Sequence, residues 1–246
     1  MDITAQTPVA EIVTHHPGTT RVFQRYGIDF CCGGKRPLGE VLRERGLELA
    51  ALWSEIDAAM AGPGDETDWS EAPLAEIIDH ILARYHRGLR EELPRLSQMA
   101  DKVLNAHGAK HPEMVPPVVQ RLRVLRAELE MHMMKEERIL FPYIAALERA
   151  ERAGSAVPPS PFGSVGGPIA VMEAEHDHAG ALLGEMNQLT HGYQPPEGAC
   201  NTFRGLFHGL DELEREMHLH VHLENNVLFP RALDLERRAA AVPATV

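Results

Sequence analysis

The phrase His-x-x-x-Glu-x-x-x-Leu-Phe-Pro occurs twice in this chain. His132, Glu136 and Leu140-Phe141-Pro142 form one copy; His220, Glu224 and Leu228-Phe229-Pro230 form the other, 220 − 132 = 88 residues later. Residues four apart on an α-helix are rotated by about 40° and separated by about 6 Å along the axis, so this histidine and glutamate reach one point in space. Two such helices facing each other bring two imidazoles and two carboxylates into one bundle core, the way metal sites in helix bundles are built. A further histidine precedes each copy at nearly the same distance: His86 lies 132 − 86 = 46 residues before His132, and His176 lies 220 − 176 = 44 before His220. Each half therefore reads as a helix with one histidine, a loop, and a helix with the pair. The chain is constrained to an all-α fold with an internally duplicated bundle.

After Pro73 helical patterning dominates and no β-alternation appears. The periodicity predicts four long helices at about 73–107, 116–152, 168–190 and 199–238, in an up-down-up-down four-helix bundle. The second and third are joined by a loop containing Pro158-Pro159-Ser160-Pro161, Gly163 and Gly166-Gly167-Pro168. Ahead of the bundle, residues 1–60 read as a small helical domain. One stripe, Val9, Ile12 and Val13, stops at His15-His16-Pro17; a second, Val22, Phe23 and Tyr26, ends at Gly27; two more helices follow near Leu38–Arg45 and Leu47–Met60. Such a unit is marginal alone, so it is expected to dock on the rest or on another subunit. Residues 61–72 are a linker by composition, and 73–240 form the bundle.

A lone His-x-x-x-Glu pair on a helix is ordinarily a solvated face, and a lone histidine a hydrogen-bonded core residue. The repeat in an identical Leu-Phe-Pro context outweighs that reading and selects His86, His132, Glu136, His176, His220 and Glu224 around a common centre. Four imidazoles and two carboxylates without thiolate suit iron or manganese better than structural zinc. Ferritin-like sites use Glu-x-x-His on two helices and a lone Glu on each of the others; here the lone residues are histidines and the pair spacing is four. Two glutamates shared by two metals act most economically as bridges, leaving positions open for water, oxo or a small diatomic ligand. Of the alternating His218, His220 and His222, only His220 aligns with His132, so the other two are expected at the surface or behind the ligands. His80 and His178 fall off the ligand face. Glu128 and Glu216, one turn before each pair, and Glu175, beside His176, are candidates to orient an imidazole or relay protons; a solvated acid is the competing reading. Met133, Met134, Met172 and Met217 read as core filling.

A net charge of 24 − 36 = −12 argues against nucleic acid and anionic membranes as partners. The N-terminus lacks a signal-peptide pattern, no segment is long and apolar enough to span a bilayer, and three cysteines do not make a secreted disulfide framework. A reducing cytoplasm fits best. Cys31 and Cys32 are adjacent, with Cα atoms about 3.8 Å apart, shorter than the usual disulfide range. They are expected to react with something else: redox exchange, a metal in transit, or a bridge to another subunit. Gly33-Gly34 lets the backbone turn and expose amides, while Lys35 and Arg36 can favour thiolate. Cys200, at the start of the last helix, reads as structural.

With both halves in view, the chain resembles the RIC family of bacterial di-iron proteins that repair iron centres. The resemblance is carried by Asp29-Phe30-Cys31-Cys32-Gly33-Gly34-Lys35, by Ala72-Pro73-Leu74-Ala75-Glu76-Ile77-Ile78-Asp79-His80, by His132-Met133-Met134-Lys135-Glu136-Glu137 and by Leu223-Glu224-Asn225-Asn226-Val227-Leu228-Phe229-Pro230. It covers essentially the whole length and implies a hemerythrin-like bundle behind a small Cys-Cys domain. It also implies two non-haem irons, oxo-bridged when oxidised, on His86, His132, Glu136, His176, His220 and Glu224. By resemblance, the function is restoring iron–sulfur clusters damaged by nitric oxide or peroxide in the cytoplasm. Two mechanisms stay open: iron donated to a broken cluster, or nitric oxide bound and reduced with Cys31 and Cys32 passing electrons or accepting a nitrosyl. The implied partners are damaged iron–sulfur proteins, nitric oxide or oxygen, and an electron donor. The alternative is a sensor or carrier of diatomic gases of hemerythrin type. A cysteine-bearing domain on a linker is also compatible with an exchanged homodimer.

Overall fold

The computed structural model describes residues 3–61, 67–157 and 159–241; of the linker expected at 61–72, residues 62–66 lie outside these, as does Pro158 of the expected loop. Among the described residues every regular element is helical, and one antiparallel bridge pairs Pro8 with Pro37. The four short helices are α1 (Val9–His15), α2 (Thr20–Arg25), α3 (Leu38–Glu44) and α4 (Leu49–Ala61). Helix α2 stops as expected from Gly27. That residue takes φ +63, and the amides of Gly27 and Ile28 return to the carbonyls of Gln24 and Phe23, which closes the open helix end.

Each of the four long helices is continuous, but three change pitch. Helix α5 runs as Leu74–His80, a π-helical stretch Ile81–His86, and Arg87–His107. Helix α6 runs as Val115–Lys135, a π-helical Glu136–Leu140, and Phe141–Ala153. Helix α7 is Gly166–Leu189, and α8 runs as Asn201–Leu223, a π-helical Glu224–Leu228, and Phe229–Ala241. The wide turns of α6 and α8 have a local cause. Pro142 and Pro230 have no N–H to donate, and their rings clash with the carbonyl four residues back. Widening the preceding turn relieves that clash, and the Phe141 and Phe229 amides then bond the carbonyls of Glu136 and Glu224, five residues back.

The chain divides into two compact units. One holds the residues up to Ile78, Ile144–Val165 and the residues from His218; the other holds Asp79–Tyr143 and Gly166–Met217. The second unit is a ring of antiparallel helices. Asp101 pairs with Arg123 and Arg90 with Glu137 between α5 and α6. Arg121 pairs with Glu185, and His132 with Glu175, between α6 and α7. Asn187 bonds Glu214 between α7 and α8, and Arg84–Glu216 and His107–Cys200 join α8 back to α5.

In the first unit the small helices meet the C-terminal stretch of α8. Buried His222 donates from Nδ1 to the Phe30 carbonyl at 3.1 Å, and Asn226 Nδ2 donates to the Cys31 carbonyl at 2.9 Å. The unit also contains a duplicated capping device. Neither Ala72 nor Pro73 offers a capping side chain to α5, and the amides of Leu74 and Ala75 instead donate to the carboxylate of Glu148. At the start of α7 the Val165 amide and the Ser164 hydroxyl donate to Glu236, which lies 236 − 148 = 88 residues after Glu148. No helix among the described residues is long and apolar enough to cross a membrane.

Candidate metal centre

The wide turns sit at the residues singled out by spacing. His86 closes the π-helical stretch of α5, and Glu136 and Glu224 open those of α6 and α8. His86, Glu136 and Glu224 are fully buried, and His132, His176 and His220 nearly so. Their ligand atoms fall into two overlapping groups, His86, Glu136, His220, Glu224 and His132, Glu136, His176, Glu224, each with all its atoms within 4.8 Å of one another. Glu136 and Glu224 belong to both.

The outer ring nitrogens show which way the lone pairs face. His86 Nδ1 lies 2.8 Å from Glu137 Oε1, and His132 Nδ1 lies 2.9 Å from Glu175 Oε2. An ionised carboxylate only accepts, so in each neutral imidazole the proton is on Nδ1 and Nε2 carries a lone pair. The Nε2 atoms of His86 and His132 face Glu136 Oε2 at 3.4 and 3.3 Å, and His132 Nε2 lies 3.0 Å from His176 Nε2. His220 Nε2 and Glu224 Oε1 are 3.0 Å apart. Converging lone pairs on nitrogen and oxygen are a donor set for cations, and imidazole with carboxylate and no thiolate fits iron or manganese.

Both outer carboxylates are held from the surface. Arg90 Nη2 donates to the two oxygens of Glu137 at 2.6 and 2.7 Å, and Lys135 donates to Glu175. Partial burial raises the affinity of each carboxyl for its proton. The cation and the imidazole outweigh it, so Glu137 and Glu175 both lie below the usual carboxylate range. Glu137 carried no signal in the motif beyond its place directly after a ligand.

Other expectations need correction. Glu128 pairs with the exposed imidazole of His178, 3.4 Å from its Nε2, and not with His132: it is itself exposed, because one turn before His132 the helix face has rotated past the core. Glu216 forms an exposed pair with Arg84. Of the two places expected for His222, the surface or behind the ligands, the surface is excluded: it is 6% exposed, and burial pushes its pKa down to about 4 against the raising effect of the Phe30 carbonyl. His218 is half-buried and packs edge-on against Phe30, and His80 packs edge-on against Tyr85. Met133, Met172 and Met217 are core residues, while Met134 is half-buried.

The cysteine loop is built differently from the expectation of free amides and a favoured thiolate. Asp29 takes the amides of Cys31 and Cys32 on Oδ1 and that of Gly33 on Oδ2. Gly34 is required by contact, since a Cβ there would lie 2.3 Å from the Phe30 carbonyl oxygen and 2.7 Å from Ala10 Cβ. Arg36 is engaged by Glu44 at 2.5 Å. Hydrogen bonding to Cys32, burial and the Asp29 charge push the Cys31 thiol well above its ordinary pKa, so Cys31 is a buried protonated thiol. Cys32 is half-buried, with its sulfur 3.9 Å from that of Cys31. Cys200 is exposed, 3.3 Å from His107 Nε2.

Comparison with known proteins places these features in company. The family model described as Hemerythrin HHE cation binding domain matches residues 77–232, and one described as Domain of Unknown function (DUF542) matches residues 5–60. The chain is 43% identical over 230 residues to the iron-sulfur cluster repair protein YtfE of Cronobacter sakazakii (strain ATCC BAA-894), covering 94% of this chain and 97% of the relative. It is 42% identical over 225 residues to the protein of that name from Pectobacterium carotovorum subsp. carotovorum (strain PC1), covering 92% and 96%. A Yersinia pestis (strain Pestoides F) relative of the same name is 42% identical over 217 residues, covering 88% and 92%.

Proposed function

The chain belongs to the hemerythrin HHE cation-binding family, and on that premise we propose that it is a di-iron protein that repairs damaged iron–sulfur clusters. The observation that carries the reading is the sharing of Glu136 and Glu224 by two groups of buried ligand atoms, since two carboxylates common to two sites are the geometry of a bridged metal pair. His86 and His220 would hold one iron and His132 and His176 the other, with Glu136 and Glu224 common to both positions. Iron held there would supply binding of nitric oxide or oxygen, or metal on labile carboxylates that a broken cluster could receive.

The Nδ1–H of His132, fixed by Glu175, keeps Nε2 directed inward as a ligand atom. Residues 73–240 form the metal-bearing domain and residues 1–60 the thiol-bearing one, acting in the cytoplasm on damaged iron–sulfur proteins. Cys31 and Cys32 serve redox exchange or transfer of iron or a nitrosyl, with half-buried Cys32 as the reachable partner and Cys31 as its protonated neighbour. The test is to incubate iron-loaded protein with a nitrosylated cluster enzyme under anaerobic conditions. Recovery of the enzyme's activity is expected from wild type and not from Glu224→Leu. No recovery with wild type carrying its full iron would leave the gas sensor or carrier as the reading.

A further inference from the structure

The repeat that places the ligands breaks at the residues behind them. The residue after the ligand glutamate is Glu137 in the first half and Asn225 in the second; the residue before the lone histidine is Tyr85 in the first and Glu175 in the second. The two acids are not equivalent members of the duplication, and they serve different imidazoles. Glu137 accepts from His86 Nδ1, whose Nε2 belongs to the group with His220; Glu175 accepts from His132 Nδ1, whose Nε2 belongs to the group with His176. Each group therefore contains a carboxylate-backed imidazole, His86 in one and His132 in the other.

We propose that Glu137, clamped by Arg90, is a positioning residue for one metal position only, the one formed by His86, Glu136, His220 and Glu224, as Glu175 is for the other. The proposal rests on the two-iron reading above. Three observations carry it. The His86 side chain is fully buried and stacked on Phe141 with ring centroids 5.8 Å apart, so its ring plane is set by packing and its tautomer by Glu137. Glu137 is itself fixed by two bonds from a single guanidinium nitrogen, at 2.6 and 2.7 Å. It also sits in the turn opened by Glu136, so one segment of α6 supplies both a bridging carboxylate and the carboxylate that orients the neighbouring helix's ligand. A carboxylate behind a ligand imidazole makes the ring a stronger donor, and its loss lowers metal affinity by about 10–100-fold. Glu137→Gln is isosteric but withdraws the charge, and Arg90→Gln leaves the carboxylate in place but loosens its hold.

The experiment loads wild type, Glu137→Gln, Glu175→Gln and Arg90→Gln with ferrous iron anaerobically and follows release to an excess of a ferrous chelator. Mössbauer spectra of each loaded protein and melting curves of each metal-free protein accompany it. The expected result is one iron released about 10–100-fold faster from Glu137→Gln with the other at the wild-type rate. Arg90→Gln should change the same phase by less. One of two iron environments should change in Glu137→Gln and the other in Glu175→Gln, with metal-free melting unchanged. Release of both irons at wild-type rates from Glu137→Gln overturns the proposal, as does equal acceleration of both. A fall in metal-free melting matching that of the loaded protein would also overturn it, by marking the pair as structural. Wild type binding fewer than two irons would instead overturn the reading on which the proposal stands.

Discussion

Replacing Glu148 by alanine should remove a helix cap supplied from another helix. Its Oε1 accepts the Leu74 amide at 2.8 Å, its Oε2 the Ala75 amide at 3.0 Å, and Arg152 holds Oε1 at 3.1 Å. Glu148 is 8% exposed and Leu74 3%, so water cannot readily replace the lost acceptor. A hydrogen bond to a charged partner contributes about 1.5–3 kcal/mol, whereas deleting an ordinary N-cap costs about 1 kcal/mol. With one amide left buried and the other partly resolvated, the loss should be about 3 kcal/mol. At roughly 2–4 °C per kcal/mol for a chain of this size, the midpoint of unfolding should fall by about 6–12 °C. Glu148→Gln keeps an acceptor but not the charge and should lose about half as much. Glu236→Ala removes the equivalent cap at α7, but that side chain is half-buried and accepts one amide and a hydroxyl, so about 1–1.5 kcal/mol is expected. The assay is thermal and urea unfolding of metal-free protein followed by circular dichroism. A Glu148→Ala variant within about 0.5 kcal/mol of wild type, the ordinary range for surface changes, would refute the capping argument, as would a larger loss from Glu236→Ala.

Glu224→Leu removes a carboxylate common to both ligand groups, so iron content should fall from about two per chain to below one, with loss of the oxo-bridge absorption band; retention of both irons would exclude bridging by this residue. Alkylation followed by mass spectrometry should label exposed Cys200 first, half-buried Cys32 next and Cys31 last, with Cys31 accelerating only at alkaline pH because its thiol holds its proton more tightly than usual. Cys31 labelled ahead of Cys32 near neutral pH would contradict that environment. Gly34→Ala should disrupt the cysteine loop, since its new methyl meets the Phe30 carbonyl, and should raise the labelling rate of Cys31 several-fold; an unchanged rate would mean the loop is not held by that contact.

Helix existence was legible because it depends on local periodicity. The four expected long helices differ from the observed α5, α6, α7 and α8 by a few residues at their ends, and the stop at Gly27 follows from one residue's backbone freedom. The structure gathers His86, His132, Glu136, His176, His220 and Glu224 into two overlapping groups; the four-residue offset on a helix aligns each His–Glu pair whatever surrounds it, and only the duplication pointed to His86 and His176. The π-helical turns were present in the motif as Pro142 and Pro230, but their effect depends on whether the chain remains helical through them. His222 was unreadable for a different reason. Its burial comes from Phe30, 192 residues away, and helix periodicity sees only its own neighbours. Asp29 was read as part of a motif rather than as the acceptor of three amides, because a loop's hydrogen bonds follow from its fold and not from a period.

The amino-acid sequence alone determined the helical class, the duplication and the alignment of each His–Glu pair, since periodicity, repeated spacing and a four-residue offset are all written along the chain. Tertiary structure decided which carboxylate stands behind which imidazole: Glu137 behind His86 and Glu175 behind His132, with Glu128 left to solvent. It also decided that α5 and α7 are capped from α6 and α8, and that Cys31 is buried beside Asp29 rather than presented as a thiolate. These partners lie on different elements, and their meeting depends on how far each helix slides and turns against its neighbour, a quantity that no spacing within one helix contains.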